Sequence, residues 1–222
     1  MTTVYTLPLR IRLFRWIIRP AFRMLFHILG RILIIGRENI PRRGAYLIAS
    51  NHVSIYDPPL LVTFWPTTPE ALGAIDIWAK RGQSQLVRWY GVIPVHRGQY
   101  DRGSIETMLS ALNSGRPLAI FPEGGRSHRP GMRKALPGVA YLIDKADVPV
   151  IPVGITGTTE DFFQRAIHGK RPTLEVHIGK PFKLPQIISK GDKRRCDRQS
   201  NADLIMMHIA EQLPPEYRGV YG

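Results

Sequence analysis

From residue 31 onward, short apolar runs alternate with amphipathic stretches of helical length. Ile32–Ile35 and Tyr46–Ala49 are short apolar runs that read as strands. Pro59–Trp65 reads as a short helix, and Leu72–Ile75 as a strand. Ile77–Tyr90 reads as a helix leading into a strand at Val92–Val95, and Ser104–Asn113 as a helix before Leu118–Phe121. Leu136–Lys145, Val150–Ile155 and Leu174–Ile178 continue as helix, strand and strand. Residues 180–200 are rich in Lys and Arg, carry Pro185 and Gly191, and read as a loop or lid. Ala202–Leu213 closes the chain as a helix. This alternation predicts an α/β fold, with a mostly parallel central sheet flanked by helices, over residues 31–222.

Residues 1–30 follow another pattern. Phe14, Ile18, Phe22, Leu25 and Leu29 recur at helical spacing, and Arg12, Arg15, Arg19 and Arg23 make a second row. Pro20 suits a first turn and damages a helix interior, so the pattern predicts two helices, roughly 8–19 and 20–30. A basic amphipathic helix with Trp and Phe on its apolar side can lie in a membrane interface. Residues 1–30 are therefore expected to form an amphipathic helical membrane-binding element, facing an anionic surface.

Charge extends that picture. The 222 residues hold 31 Lys and Arg against 17 Asp and Glu, a net charge of +14. Such a chain selects anions: phosphorylated substrates, anionic lipid or nucleic acid. The arginines concentrate in an apolar helix, without a nucleic-acid motif, which argues against nucleic acid as partner. The single cysteine, Cys196, excludes an internal disulfide and a Cys-based metal site, and the histidines show no metal-ligand spacing. Uncharged runs near the start fall far short of the roughly 20 residues a membrane span needs, so monotopic association at the cytoplasmic face is expected.

Candidate chemistry lies at two strand ends. After Ala45–Ala49 comes Ser50-Asn51-His52-Val53-Ser54-Ile55-Tyr56-Asp57-Pro58-Pro59. Residues five apart do not share a helix face, and on a strand they point to opposite sides. His52 and Asp57 can meet only across a turn. Asn51 and Ser54 supply turn chemistry, and Pro58 disfavours a helical Asp57. Asp57 would fix the tautomer of His52 and leave its other nitrogen as a general base. The second end is Phe121-Pro122-Glu123-Gly124-Gly125-Arg126-Ser127, where glycines allow close backbone approach and Arg126 offers a fork for phosphate oxygens.

These segments resemble the first and third motifs of the glycerolipid acyltransferases, a family that includes the 1-acylglycerol-3-phosphate acyltransferases. Gly91-Val92-Ile93-Pro94-Val95-His96-Arg97-Gly98 is similar to the second motif, and Val148–Ile155 to the fourth. The four lie in the family's order over residues 50–155. Gly125 stands where the third motif more often has threonine, and Leu136 or Pro137 where many relatives carry a lysine.

The resemblance implies an O-acyltransferase that needs no cofactor or metal. Its substrates would be a lysophospholipid, first of all 1-acylglycerol 3-phosphate, and an acyl thioester carried by coenzyme A or an acyl carrier protein. His52 would be the base and Asp57 its orienter, with Asn51 and Ser54 supporting the turn. Arg97 and Arg126 would hold phosphate beside Gly124, and Glu123 in the same group would pin Arg126 or accept from the acceptor hydroxyl. Arg133 and Lys134 would extend the basic rim. His96, alternating with Val95, is expected on the opposite side of its strand. The alternatives are another acceptor (glycerol 3-phosphate, a lyso-aminolipid or a glycolipid) and a non-enzymatic binder of anionic lipid or nucleic acid.

Overall fold

The computed structural model describes residues 5–97, 99 and 101–222. Gly98 of the second motif and residues 1–4 of the N-terminal element lie outside the described residues. In chain order the elements are α1 (Leu9–Leu29), β1 (Arg31–Ile35), β2 (Leu47–Ser50), α2 (Asp57–Phe64), β3 (Glu70–Ala74), α3 (Gln83–Tyr90), β4 (Ile93–Val95) and α4 (Arg102–Asn113). They continue with β5 (Leu118–Ile120), α5 (Gly138–Ala146), β6 (Val150–Thr156), α6 (Phe162–Ile167), β7 (Thr173–Ile178), α7 (Gly191–Ala210) and α8 (Pro215–Arg218).

The seven strands form one sheet in the order β1-β7-β6-β2-β5-β3-β4. All pairings are parallel except β6 with β7. The period of two along β2 assigns the layers. Leu47 and Ala49 face a cluster with Met108, Leu112, Val139, Leu142, Ile205 and Ile209 from α4, α5 and α7. Ile48 faces the other cluster, with Phe26, Leu60, Leu61 and Phe162 from α1, α2 and α6. The fold class is thus the expected one: a mostly parallel sheet with helices on both faces.

Three elements depart from the sequence reading. The N-terminal segment is one helix of 21 residues with Pro20 inside it, not two helices meeting at Pro20. Pro20 is exposed, so the backbone bond it forgoes faces outward. The turns on either side are clamped to the domain. Arg15 Nε donates to Tyr90 O at 2.8 Å, and Arg15 Nη1 and Nη2 to Glu70 at 2.9 and 2.7 Å. Arg19 donates to Thr68 Oγ1 at 2.7 Å and to Trp65 O, and Arg23 Nε to Thr63 O at 3.0 Å. Much of the arginine row therefore points into the protein.

The stretch 180–200 is not wholly a loop, because α7 begins at Gly191 and runs 20 residues. Lys, Arg and Gln are good helix formers, and Ala202, Ile205, Met206 and Ile209 anchor the far end at helical spacing. Ile77–Tyr90 is broken: a 3-10 turn covers Ile75–Ala79, and α3 starts only after Gly82, whose φ is 80°. Gly82 supplies the left-handed geometry that reverses the chain between them.

Candidate active site

The loops that follow β2, β4, β5 and β6 gather at the carboxyl ends of these strands, the usual ligand edge of a parallel sheet. His52 leaves the end of β2, and its Nδ1 lies 2.8 Å from Asp57 Oδ2. The same oxygen accepts the backbone N–H groups of Val53 at 2.7 Å and Ser54 at 2.8 Å. Thr158, just past β6, donates its hydroxyl to Asp57 Oδ1. Asp57 is fully buried and His52 is 12% exposed. A carboxylate on Nδ1 keeps the proton there and leaves Nε2 as acceptor. Phe121 stacks on the imidazole with ring centroids 4.2 Å apart.

The turn is built as the residue types suggest, with two differences. Ser54 Oγ accepts from Tyr56 N at 3.1 Å. Asn51 does not close a local turn. Its Nδ2 donates to Ile155 O at 2.9 Å and its Oδ1 accepts from Ile155 N at 2.8 Å. Nor does Pro58 exclude Asp57 from the helix: Asp57 is the first residue of α2, and Pro58 sits in the first turn, where no backbone donor is needed.

Glu123 has a different partner from the one expected. Its Oε1 accepts from His52 N and its Oε2 from Arg133 N, both at 2.8 Å. It does not pin Arg126: the donors it holds are two backbone groups. Burial pushes its carboxyl up to about 7, against the pull of those two bonds. Arg126 instead lies 3.8 Å from Glu160, which also bonds His128 at 2.5 Å.

Arg97 and Gly124 line a cavity of about 720 Å³ together with His52; Arg126 is not among its walls. Gly124 has φ 66°, a conformation that favours glycine, and a Cβ there would displace the Leu136 side chain, whose Cδ1 would stand 2.3 Å away. Beside it, a Cβ on Gly125 would lie 3.3 Å from Arg133 Nη1 and 3.7 Å from Arg97 Nη1. Two guanidinium groups therefore flank the glycine that stands where threonine is more common. The walls beyond are apolar, including Leu72, Ile105, Met108, Ile120 and Val139.

His96 also lines this cavity, together with Val95, contrary to the expected opposite face. β4 ends at Val95, so strand alternation does not extend to His96. His96 Nδ1 lies 2.8 Å from Asp101 Oδ2, repeating the spacing and geometry of His52 with Asp57. Asp101 caps α4 by accepting from Ser104 N at 3.1 Å. The His96 bond, then those from Ser104, hold its carboxyl down to about 2. Sequence reasoning missed Asp101, although the repeated His-x4-Asp spacing was a signal, and it missed Thr158, which had none.

Among the described residues no group of His, Cys, Asp and Glu could hold a metal ion. No helix among them is long and apolar enough to cross a membrane.

Residues 31–156 match the Acyltransferase family model. The chain is 23% identical over 150 residues to the 1-acyl-sn-glycerol-3-phosphate acyltransferase of Borreliella burgdorferi, covering 67% of this chain and 60% of that protein. It is 31% identical over 150 residues to the lyso-ornithine lipid O-acyltransferase of Pseudomonas aeruginosa, covering 67% and 55%. A Bacillus subtilis 1-acyl-sn-glycerol-3-phosphate acyltransferase is 20% identical over 185 residues, covering 82% and 89%. The first two matches thus span only 60% and 55% of the relative's length. The crystal structure of the 1-acyl-sn-glycerophosphate (LPA) acyltransferase PlsC from Thermotoga maritima shares the fold, with TM-score 0.59 and 21% identity over 88% of this chain and 78% of that one.

Proposed function

The chain belongs to the Acyltransferase family, and from that premise we propose that it moves a fatty acyl group from an acyl thioester to the free hydroxyl of 1-acylglycerol 3-phosphate, giving phosphatidic acid. The observation that carries this reading is the His52–Asp57 pair at the wall of an apolar cavity that also holds Arg97. His52 Nε2 takes the proton of the acceptor hydroxyl. The alkoxide attacks the thioester carbonyl, the C–S bond breaks, and the thiolate leaves with a proton returned from His52. Asp57 stabilises the imidazolium, and its buried position with fixed donors keeps the imidazole in one orientation. Arg97 holds the acceptor phosphate and Arg133 reinforces it across Gly125. Arg126, paired with Glu160, reaches phosphate only if that 3.8 Å contact gives way. The apolar walls take the acyl chain.

Residues 1–30 serve as the membrane-associating element, monotopic at the cytoplasmic face. Leu9, Leu13, Trp16, Ile17, Met24 and Ile28 are exposed on one side of α1, and that apolar stripe is what meets the bilayer.

The test is thiol release from acyl-coenzyme A and from acylated carrier protein, with and without 1-acylglycerol 3-phosphate, for wild type and His52→Ala. Acceptor-dependent release that falls about 100- to 10,000-fold in the variant supports the assignment. Release without acceptor identifies a thioesterase and removes it. A lyso-ornithine lipid belongs in the same panel, because the 31% identical relative is named for that acceptor. Release with that lipid alone would move the acceptor and leave the acyl-transfer chemistry in place.

A further inference from the structure

Away from the active site, a cavity of about 470 Å³ opens between α1 and the domain, lined by Arg12, Arg15, Arg19, Arg23, Arg116 and Trp16 among others. Among the described residues, Glu70 is the one carboxylate paired with any of these five arginines, bonding Arg15 at 2.7 Å and Arg116 at 2.6 Å. Five guanidinium groups around one carboxylate leave four positive charges in excess. Arg19 Nε is buried there without a hydrogen-bond partner. Burial, and then the charges of Arg23 and Arg15, lower the proton affinity of Arg19. A buried donor without a partner and a row of like charges are both costly, and an anion would relieve both.

The position of this cavity narrows the ligand. Around α1, Phe14, Ile18, Phe22 and Phe26 pack on the domain, the arginines form the next stripe, and exposed Leu9, Leu13, Trp16 and Ile17 the one after. The arginine cavity therefore borders the free apolar stripe, with Trp16 belonging to both. An anion held here that also carries apolar chains would satisfy both neighbours at once. A phosphodiester gives guanidinium groups their preferred planar contacts.

We propose that this cavity binds the phosphate headgroup of an anionic phospholipid, separately from the substrate site, with the lipid chains against Leu13, Trp16 and Ile17. The proposal rests on the interfacial reading of α1 and gives it a defined lipid site. Arg15 and Arg19 are held by protein partners and form the wall. Arg12, which is exposed, and Arg23, which is tied to the domain through Thr63 O, contribute the adjustable contacts.

The experiment is co-sedimentation of the full chain with vesicles of phosphatidylcholine alone and with vesicles in which about a third of the lipid is phosphatidylglycerol. Each arginine at such a surface contributes about fivefold in partition, so Arg12→Gln/Arg23→Gln loses about 25-fold on the anionic vesicles. Its partition to phosphatidylcholine stays that of wild type. Arg42→Gln/Arg43→Gln, an exposed pair elsewhere, keeps the anionic preference. Equal loss in both double variants, or none in the first, overturns the proposal while leaving membrane contact intact. Failure of wild type to bind either vesicle overturns the interfacial reading and this proposal together. Protection against thermal unfolding by inorganic phosphate, lost in Arg12→Gln/Arg23→Gln without any vesicle preference, would assign the cavity to a free anion instead. Arg12→Gln alone, with a fivefold loss expected, covers the case in which the double variant does not fold.

Discussion

Asp57 holds more donors than His52 alone can supply. Thr158, just past the end of β6, is the donor that comes from outside the 52–57 turn, and it acts as a positioning residue. Thr158→Val keeps the shape and removes the hydroxyl. We expect kcat to fall about tenfold with KM unchanged, and Thr158→Ser to restore it, as steady-state kinetics would show. An equal change in KM would indicate a merely packed side chain. Glu123 makes a second prediction. Its carboxyl sits at about 7 in the fold against 4.5 ordinarily, so the folded chain holds a proton that the unfolded chain releases. Stability therefore declines as pH rises through the window from 4.5 to 7, by up to about 3 kcal/mol from this group. Urea unfolding at the two ends of the window should show the decline in wild type and a flatter profile in Glu123→Gln. The His52–Asp57 pair was legible because a five-residue turn is local and its residue types announce it. The partner of Glu123 was not: both its donors are backbone groups, which carry no residue signature, and one lies ten positions downstream.

At the scale of elements, α1 is part of the folded unit. Arg15 reaches Glu70 across 55 positions, and the pair is almost fully buried. The charges of Arg15 and Arg116 hold the Glu70 carboxyl low although burial opposes it. Arg15→Leu leaves Glu70 with Arg116 and the Tyr5 hydroxyl, and we expect a loss of about 3 kcal/mol in chemical unfolding. The same contact decides how membrane association is tested. Deleting residues 1–30 should lower activity on soluble and bilayer substrates alike, because it takes Arg15 and Tyr5 away from Glu70 and uncovers the cluster that Phe26 covers. Leu13→Ser/Trp16→Ser, at two exposed positions, should instead reduce only bilayer turnover, leaving unfolding unchanged. The apolar and basic rows of α1 were readable from spacing. Their directions were not, since periodicity separates faces without saying which one meets the protein. Pro20 misled for the related reason that its cost depends on whether its side of the helix is buried.

For the whole molecule, the seven-stranded sheet brings four loops, widely spaced in sequence, to one edge. Strand existence and the α/β class followed from alternating runs, and they position this edge. The strand order did not, nor did the antiparallel β7, because pairing between distant runs leaves no local trace. One contact at this edge bears on time rather than position. The last backbone pairing of β2 with β6 is Ser50 with Val153, and Asn51 adds a further rung by gripping both polar groups of Ile155 with its side chain. The loop carrying His52 and the segment carrying Thr158 are joined at that rung. Local fraying of either strand end then requires the other to open, so the Ile155 amide should exchange with solvent only on global unfolding. Asn51→Ala should shorten its exchange lifetime far more than those of the β1 amides. The site would then open and close on its own clock, while the rest of the sheet kept the old one.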